Sequence, residues 1–67
     1  MTIDYEKLLE DIELKMWEHG LNQKDAAAQM GLAPGIFRRL KNYKQLYLET
    51  YLKIINWLRA DLKEYLI

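Results

Sequence analysis

Apolar side chains recur at helical intervals through this chain, and no segment alternates apolar and polar residues as a half-buried strand does. Tyr5, Leu8, Leu9, Ile12 and Met16 stand at i, i+3, i+4, i+7 and i+11, which is one face of a helix. With Asp4 as its cap and Gly20 as a left-handed stop, a first helix is predicted over residues 4–18. Asn22 is a good cap for a short second helix, Gln23 to Met30, which Gly31 ends. Its Ala26, Ala27 and Ala28 let another backbone approach closely, while Leu21 and Leu32 are expected to pack inward. Pro34 suits a first helical position, so a third helix is predicted from Pro34 to about Lys41, with Phe37 and Leu40 facing in. Asn42, Tyr43 and Lys44 read as the loop that ends it. Leu48, Tyr51, Leu52, Ile55 and Leu58 mark a fourth helix over Leu48 to Arg59. Asp61-Leu62-Lys63-Glu64 has the layout of a capping box with an acidic cap, which predicts a last helical turn from Leu62 to Leu66. The expected class is all-α: a compact bundle of four helices plus a short C-terminal fifth helix, forming one domain over residues 1–67.

At 67 residues the chain has room for a single core, and a domain of this size buries only about 60% of its unfolded surface. A hydrophobic share of 51% beside 30% charged residues is too apolar for a disordered segment. The absence of cysteine excludes disulfide staples and thiolate zinc sites, and fits a reducing compartment. No apolar run approaches the roughly 20 residues of a membrane span, and no signal-peptide layout is present, so a cytoplasmic protein is expected. His19, the single histidine, suits the negative end of the first helix rather than acid–base work with Glu18. There is no Ser–His–acid set, no glycine-rich phosphate loop and no metal-ligand spacing. Neither an enzyme nor a cofactor is expected.

Charge is distributed unevenly beneath a formal total of zero. Residues 1–21 hold six acidic side chains against Lys7 and Lys15, a net of −4. Residues 22–45 hold Lys24, Arg38, Arg39, Lys41 and Lys44 against Asp25, a net of +4. Residues 46–67 balance. A neutral chain thus carries an acidic first third and a basic middle, which points to a polyanionic partner if the basic residues share a face.

The stretch Leu21-Asn22-Gln23-Lys24-Asp25-Ala26-Ala27-Ala28-Gln29-Met30-Gly31-Leu32 resembles the second helix of the lambda-repressor-like (Cro/CI-type) helix-turn-helix family. The likeness continues through Phe37-Arg38-Arg39-Leu40-Lys41-Asn42. It resumes at Leu48-Glu49-Thr50-Tyr51-Leu52-Lys53-Ile54 and ends at Leu58 to Leu66. Coverage is nearly complete, with a helix-turn-helix unit over about residues 22–41.

This resemblance implies double-stranded DNA as the partner, with the third helix in the major groove and the second laid across the backbone. It assigns base contact to Arg38 and Arg39, since arginine can grip a guanine edge in a fork, and to the base-facing position of Gly35. It assigns phosphate contact to Asn22, Gln23, Lys24, Lys41, Asn42 and Lys44, the first two where helix N-terminal amides favour an anion. The chain departs from the family at Ala33, where a polar cap is usual, and at Pro34 and Gly35, which lack base-reading side chains. Arg59 stands where glycine commonly ends the fourth helix, and Met16 with Lys41 replaces a frequent Arg–Glu pair. The expected function is a sequence-specific transcriptional regulator, a repressor by resemblance, acting as a homodimer without a small-molecule substrate.

The dimer contact is expected at Trp57, Tyr65, Leu66 and Ile67, an apolar end with little left to cover it. Trp17 and Trp57 could serve as interface anchors or enlarge the core, the latter being the commoner use in so small a chain. The rival expectation is a protein-interaction module of the same fold, antitoxin-like, inhibitor or adaptor, whose acidic first helix engages a basic partner. A third is architectural DNA binding without a preferred site.

Overall fold

The computed structural model describes residues 2–67 and carries four helices: α1 (Tyr5–His19), α2 (Gln23–Met30), α3 (Ile36–Lys41) and α4 (Leu48–Leu58). Each begins and ends for local reasons. The Asp4 carboxylate accepts the Lys7 N–H at 3.1 Å and the Asn22 side chain accepts the Asp25 N–H at 2.8 Å, so two first turns are capped by the residues expected to cap them. All four helices close with the same pair of reverse hydrogen bonds. Leu21 donates to Met16, Leu32 to Ala27, Lys44 to Arg39 and Ala60 to Ile55, each enclosing a second bond from the preceding residue to the carbonyl three positions back. The residue at the turn is left-handed in every case. Gly20 and Gly31 hold it at φ of 64° and 76°, and Tyr43 and Arg59 hold it at 53° and 56°.

The helices bury one contiguous core built from Leu8 and Ile12 of α1, Ala26, Ala27 and Met30 of α2, Ile36, Phe37 and Leu40 of α3, and Tyr51, Ile54 and Ile55 of α4. α1 packs on α3 and on α4, and α2 packs on α4. Ala26 and Ala27 have no exposed surface, as close backbone approach requires. The radius of gyration is 10.9 Å, near the roughly 11 Å of a compact domain this long. Among the described residues, no helix is long and apolar enough to cross a membrane.

Three expectations are corrected. α3 begins at Ile36 rather than Pro34, because Pro34 and Gly35 form a turn closed by Ile36 N–H to Ala33 and Phe37 N–H to Pro34. Ala33 has no side-chain acceptor to hold a longer helix open at that end. The fifth helix does not form. Residues 62–65 make turns, and the end of the chain pairs antiparallel with its beginning, Ile3 opposite Leu66. Ile67 and Thr2 exchange backbone bonds of 2.8 and 3.0 Å, and the Asp4 N–H donates to Tyr65 at 2.6 Å. One helical turn alone is hard to nucleate, and pairing with a partner backbone satisfies the same groups. Finally, Tyr65 is a core residue, 2% exposed, and not a surface for a partner. Its hydroxyl donates to Asp11 at 2.6 Å, and the Tyr51 hydroxyl donates to the Leu62 carbonyl at 2.7 Å, so two buried phenols lock the C-terminal turns onto α1 and α4.

Burial raises the Tyr65 hydroxyl above its ordinary pKa of 10.0, and the bond to Asp11 and the charges of Asp11 and Glu64 add to the rise. Tyr51 is raised in the same direction, first by burial and then by Asp61 and Glu64.

Candidate nucleic-acid interface

A six-residue helix has few ways to divide its side chains, and α3 divides them cleanly. Ile36, Phe37 and Leu40 enter the core, which leaves Arg38, Arg39 and Lys41 outside, with Gly35 exposed before them and Asn42 and Lys44 exposed after. The inward set follows from the 3.6-residue period, and so the outward set is fixed by it too.

Neither arginine of α3 meets a carboxylate. Among the described residues one ion pair forms, Lys53 with Glu49 on α4 at 3.8 Å. Arg39 donates through Nη2 to the Gln45 carbonyl at 2.7 Å, a bond that lays its guanidinium along the loop between α3 and α4. A guanidinium has five N–H donors, so this tether leaves the others available. Arg38 lies on the other flank of the helix. There Gln23, Arg38, Lys41 and Asn42 line one shallow hollow of about 280 Å³ with Phe37 at its floor. Four residues assigned to DNA contact, two of them nineteen positions apart in sequence, are thereby brought together by α2 starting where α3 ends.

The remaining assigned residues are less concentrated. Asn22 spends its side-chain oxygen on the cap of α2, and the exposed Gln23 and Lys24 follow it at the first turn, where helix amides lack helical partners. Asp25 in the same turn works against an anion there. Lys41 also faces α1, sharing a second hollow of about 320 Å³ with Glu6, Glu10 and Glu13. Three carboxylates on that side offset its field, which makes it the weakest of the assigned cations.

The face also carries an apolar feature that the helix periodicity does not predict. Ala33, Gly35, Ile36, Leu46 and Tyr47 line an apolar hollow of about 330 Å³ beside Arg39, with Leu32 and Thr50 completing it. Tyr47 is 78% exposed at the start of α4, and Leu48 beside it is exposed as well. The signal available in the sequence was Tyr47 and Leu48 themselves, adjacent apolar residues that the α4 stripe cannot both bury.

The residues assigned to a dimer contact split up. Trp57 is half-buried. Its Nε1 donates to the Gln29 side chain at 2.9 Å, while the Lys15 ammonium sits 4.4 Å from a ring centroid and donates to the Trp57 carbonyl. Leu66 is half-buried in the terminal bridge and Ile67 is 75% exposed, so with Tyr65 enclosed no continuous apolar end remains. Trp17, in contrast, stands 81% exposed on α1 near the exposed Leu14, and does not enlarge the core. No family model, curated protein or solved structure matches the chain.

Proposed function

We propose that this chain is a DNA-binding transcriptional regulator of the lambda-repressor-like helix-turn-helix kind, entering the major groove with α3 and acting as a homodimer. The observation that carries this reading is the outward face of α3. Arg38 and Arg39 stand exposed and unpaired with any carboxylate among the described residues, with Gln23 and Asn42 gathered beside Arg38. Such a face suits a duplex because phosphate attraction supplies most of the affinity and arginine donors can reach a guanine edge. Two copies related by a two-fold axis would set two such helices about 34 Å apart, one turn of the duplex.

Selection of bound sequences from a random duplex pool, followed by salt titration of the winning site, tests the proposal. A preferred site whose affinity falls steeply from low to moderate salt is expected, since each neutralised phosphate releases counterions. Failure to enrich any sequence, together with binding that is absent at low salt, overturns it.

The rival reading, a protein-interaction module, has one specific observation in its favour: Trp17 and Leu14 exposed on the acidic α1. An exposed tryptophan is a common anchor at protein interfaces.

A further inference from the structure

We infer that this protein reads thymine methyl groups, taking them into the apolar hollow between the turn before α3 and the start of α4. The inference rests on the DNA-binding reading above and specifies what the interface recognises. The exposed positions ahead of Arg38 are Ala33, Pro34 and Gly35, and none offers a side-chain hydrogen-bond donor or acceptor. Ala33 and Gly35 instead line a depression together with Ile36, Leu46, Tyr47 and Arg39. At about 330 Å³ it has room for more than one methyl group. The C5-methyl of thymine is the one apolar feature the major groove displays, and apolar side chains are what recognise it.

The surroundings favour DNA over an apolar peptide as the occupant. No acidic side chain lines the hollow, and Arg39 forms part of its wall. The segment that supplies Ala33, Gly35, Ile36 and Arg39 lies within residues 22–45, whose net charge is +4. Arg39 bonds the Gln45 carbonyl through one N–H and lines the same hollow, so its remaining donors lie within reach of a base pair next to the one whose methyl the hollow takes. The pattern expected is a thymine next to the pair that Arg39 contacts.

Replacing thymine by deoxyuridine removes only the methyl group and leaves pairing and hydrogen-bonding edges intact, so it isolates the claim. On the site recovered by selection, deoxyuridine placed singly at each thymine should lower affinity about fourfold at one or two positions per half-site and leave the others unchanged. Tyr47→Ala should erase that difference, binding thymine and deoxyuridine sites alike. Tyr47 is largely exposed and its side chain makes no capping bond at α4, so the fold is expected to survive the change, and helical circular dichroism checks this. Equal affinity for the natural and fully deoxyuridine-substituted sites would overturn the inference while leaving DNA binding standing. A methyl effect that persists undiminished in the folded Tyr47→Ala protein would also overturn it, because the methyl would then be read elsewhere. Absence of binding to any duplex would remove the DNA-binding reading itself, a separate result from either.

Discussion

α1 and α3 pack against one another through a shared core, yet their outer faces carry opposite charge. α1 exposes Glu6, Glu10, Glu13 and Glu18; α3 exposes Arg38, Arg39 and Lys41. Two such helices in contact could have cancelled each other across their seam. They do not, because apolar residues fill the core between them and the charged groups stay exposed, coming together where Lys41 faces Glu6, Glu10 and Glu13. A net charge of zero therefore says little about what a small domain can bind. Separation of charge by a packed core leaves one face free to attract a polyanion while the other repels it.

The two helices depend most on the apolar residues between them. Phe37→Ala, emptying a site 2% exposed, is expected to destabilise the fold by about 3–5 kcal/mol in urea or thermal unfolding. In a domain this small that approaches the whole margin of stability, so loss of helical signal at 25 °C is an acceptable form of the same outcome. A fully folded, equally stable variant would show that α3 is held by something other than its inward residues.

Arg39→Ala is expected to weaken binding to the preferred site by about 1–3 kcal/mol, measured by fluorescence anisotropy, with unfolding stability unchanged. If the loss is the same on every sequence, Arg39 is a phosphate contact and not a base reader.

Not all of α1's acid is surface charge. Asp11 accepts the Tyr65 hydroxyl, so Tyr65→Phe should reduce stability by about 1 kcal/mol. The same pair gives a sign for alkaline pH. Folding holds the Tyr65 and Tyr51 hydroxyls protonated above the ordinary value of 10.0, whereas the unfolded chain sheds those protons there. The unfolded state then binds fewer protons than the folded one, so this contribution is complete below pH 10 and is lost as pH rises beyond it. Denaturation midpoints measured from pH 8 upward should fall above pH 10, and fall less in Tyr65→Phe.

The smallest effect sharpens the contrast at the margin where the two faces meet. Glu10→Gln with Glu13→Gln removes two of the three carboxylates beside Lys41 and should tighten DNA binding by about 0.5 kcal/mol at low salt. The gain should vanish as salt screens it. A gain that survives high salt would have some other origin than charge.

The helix ends show how far local chemistry was legible. Asp4, Asn22, Gly20 and Gly31 do what their residue types favour, and α1 and α2 begin and end within a residue of the expected places. Arg59 takes the left-handed turn at the position where the resemblance places glycine, so the motif persists with a side chain that strains it. Tyr43 does the same after α3, and its ring lies 6.0 Å from that of Tyr5, a contact glycine could not make. The terminal segment was misread because a capping-box pattern is local, whereas its competitor, the backbone of Thr2 to Asp4, lies at the far end of the sequence.

What the sequence determined by itself was the helical class, the first two helices with their caps, and which side of α3 is basic. Those follow from periodicity and from chemistry within a few residues, and nothing distant overrides them. Tertiary structure decided that Tyr65 is enclosed and Trp17 is not, that Gln23 and Arg38 line one hollow, and that Leu46 and Tyr47 line another with Ala33. These depend on which surfaces a core of fixed size can cover. In a domain this small, each apolar residue admitted to the interior leaves another outside, and only the packed arrangement selects between them.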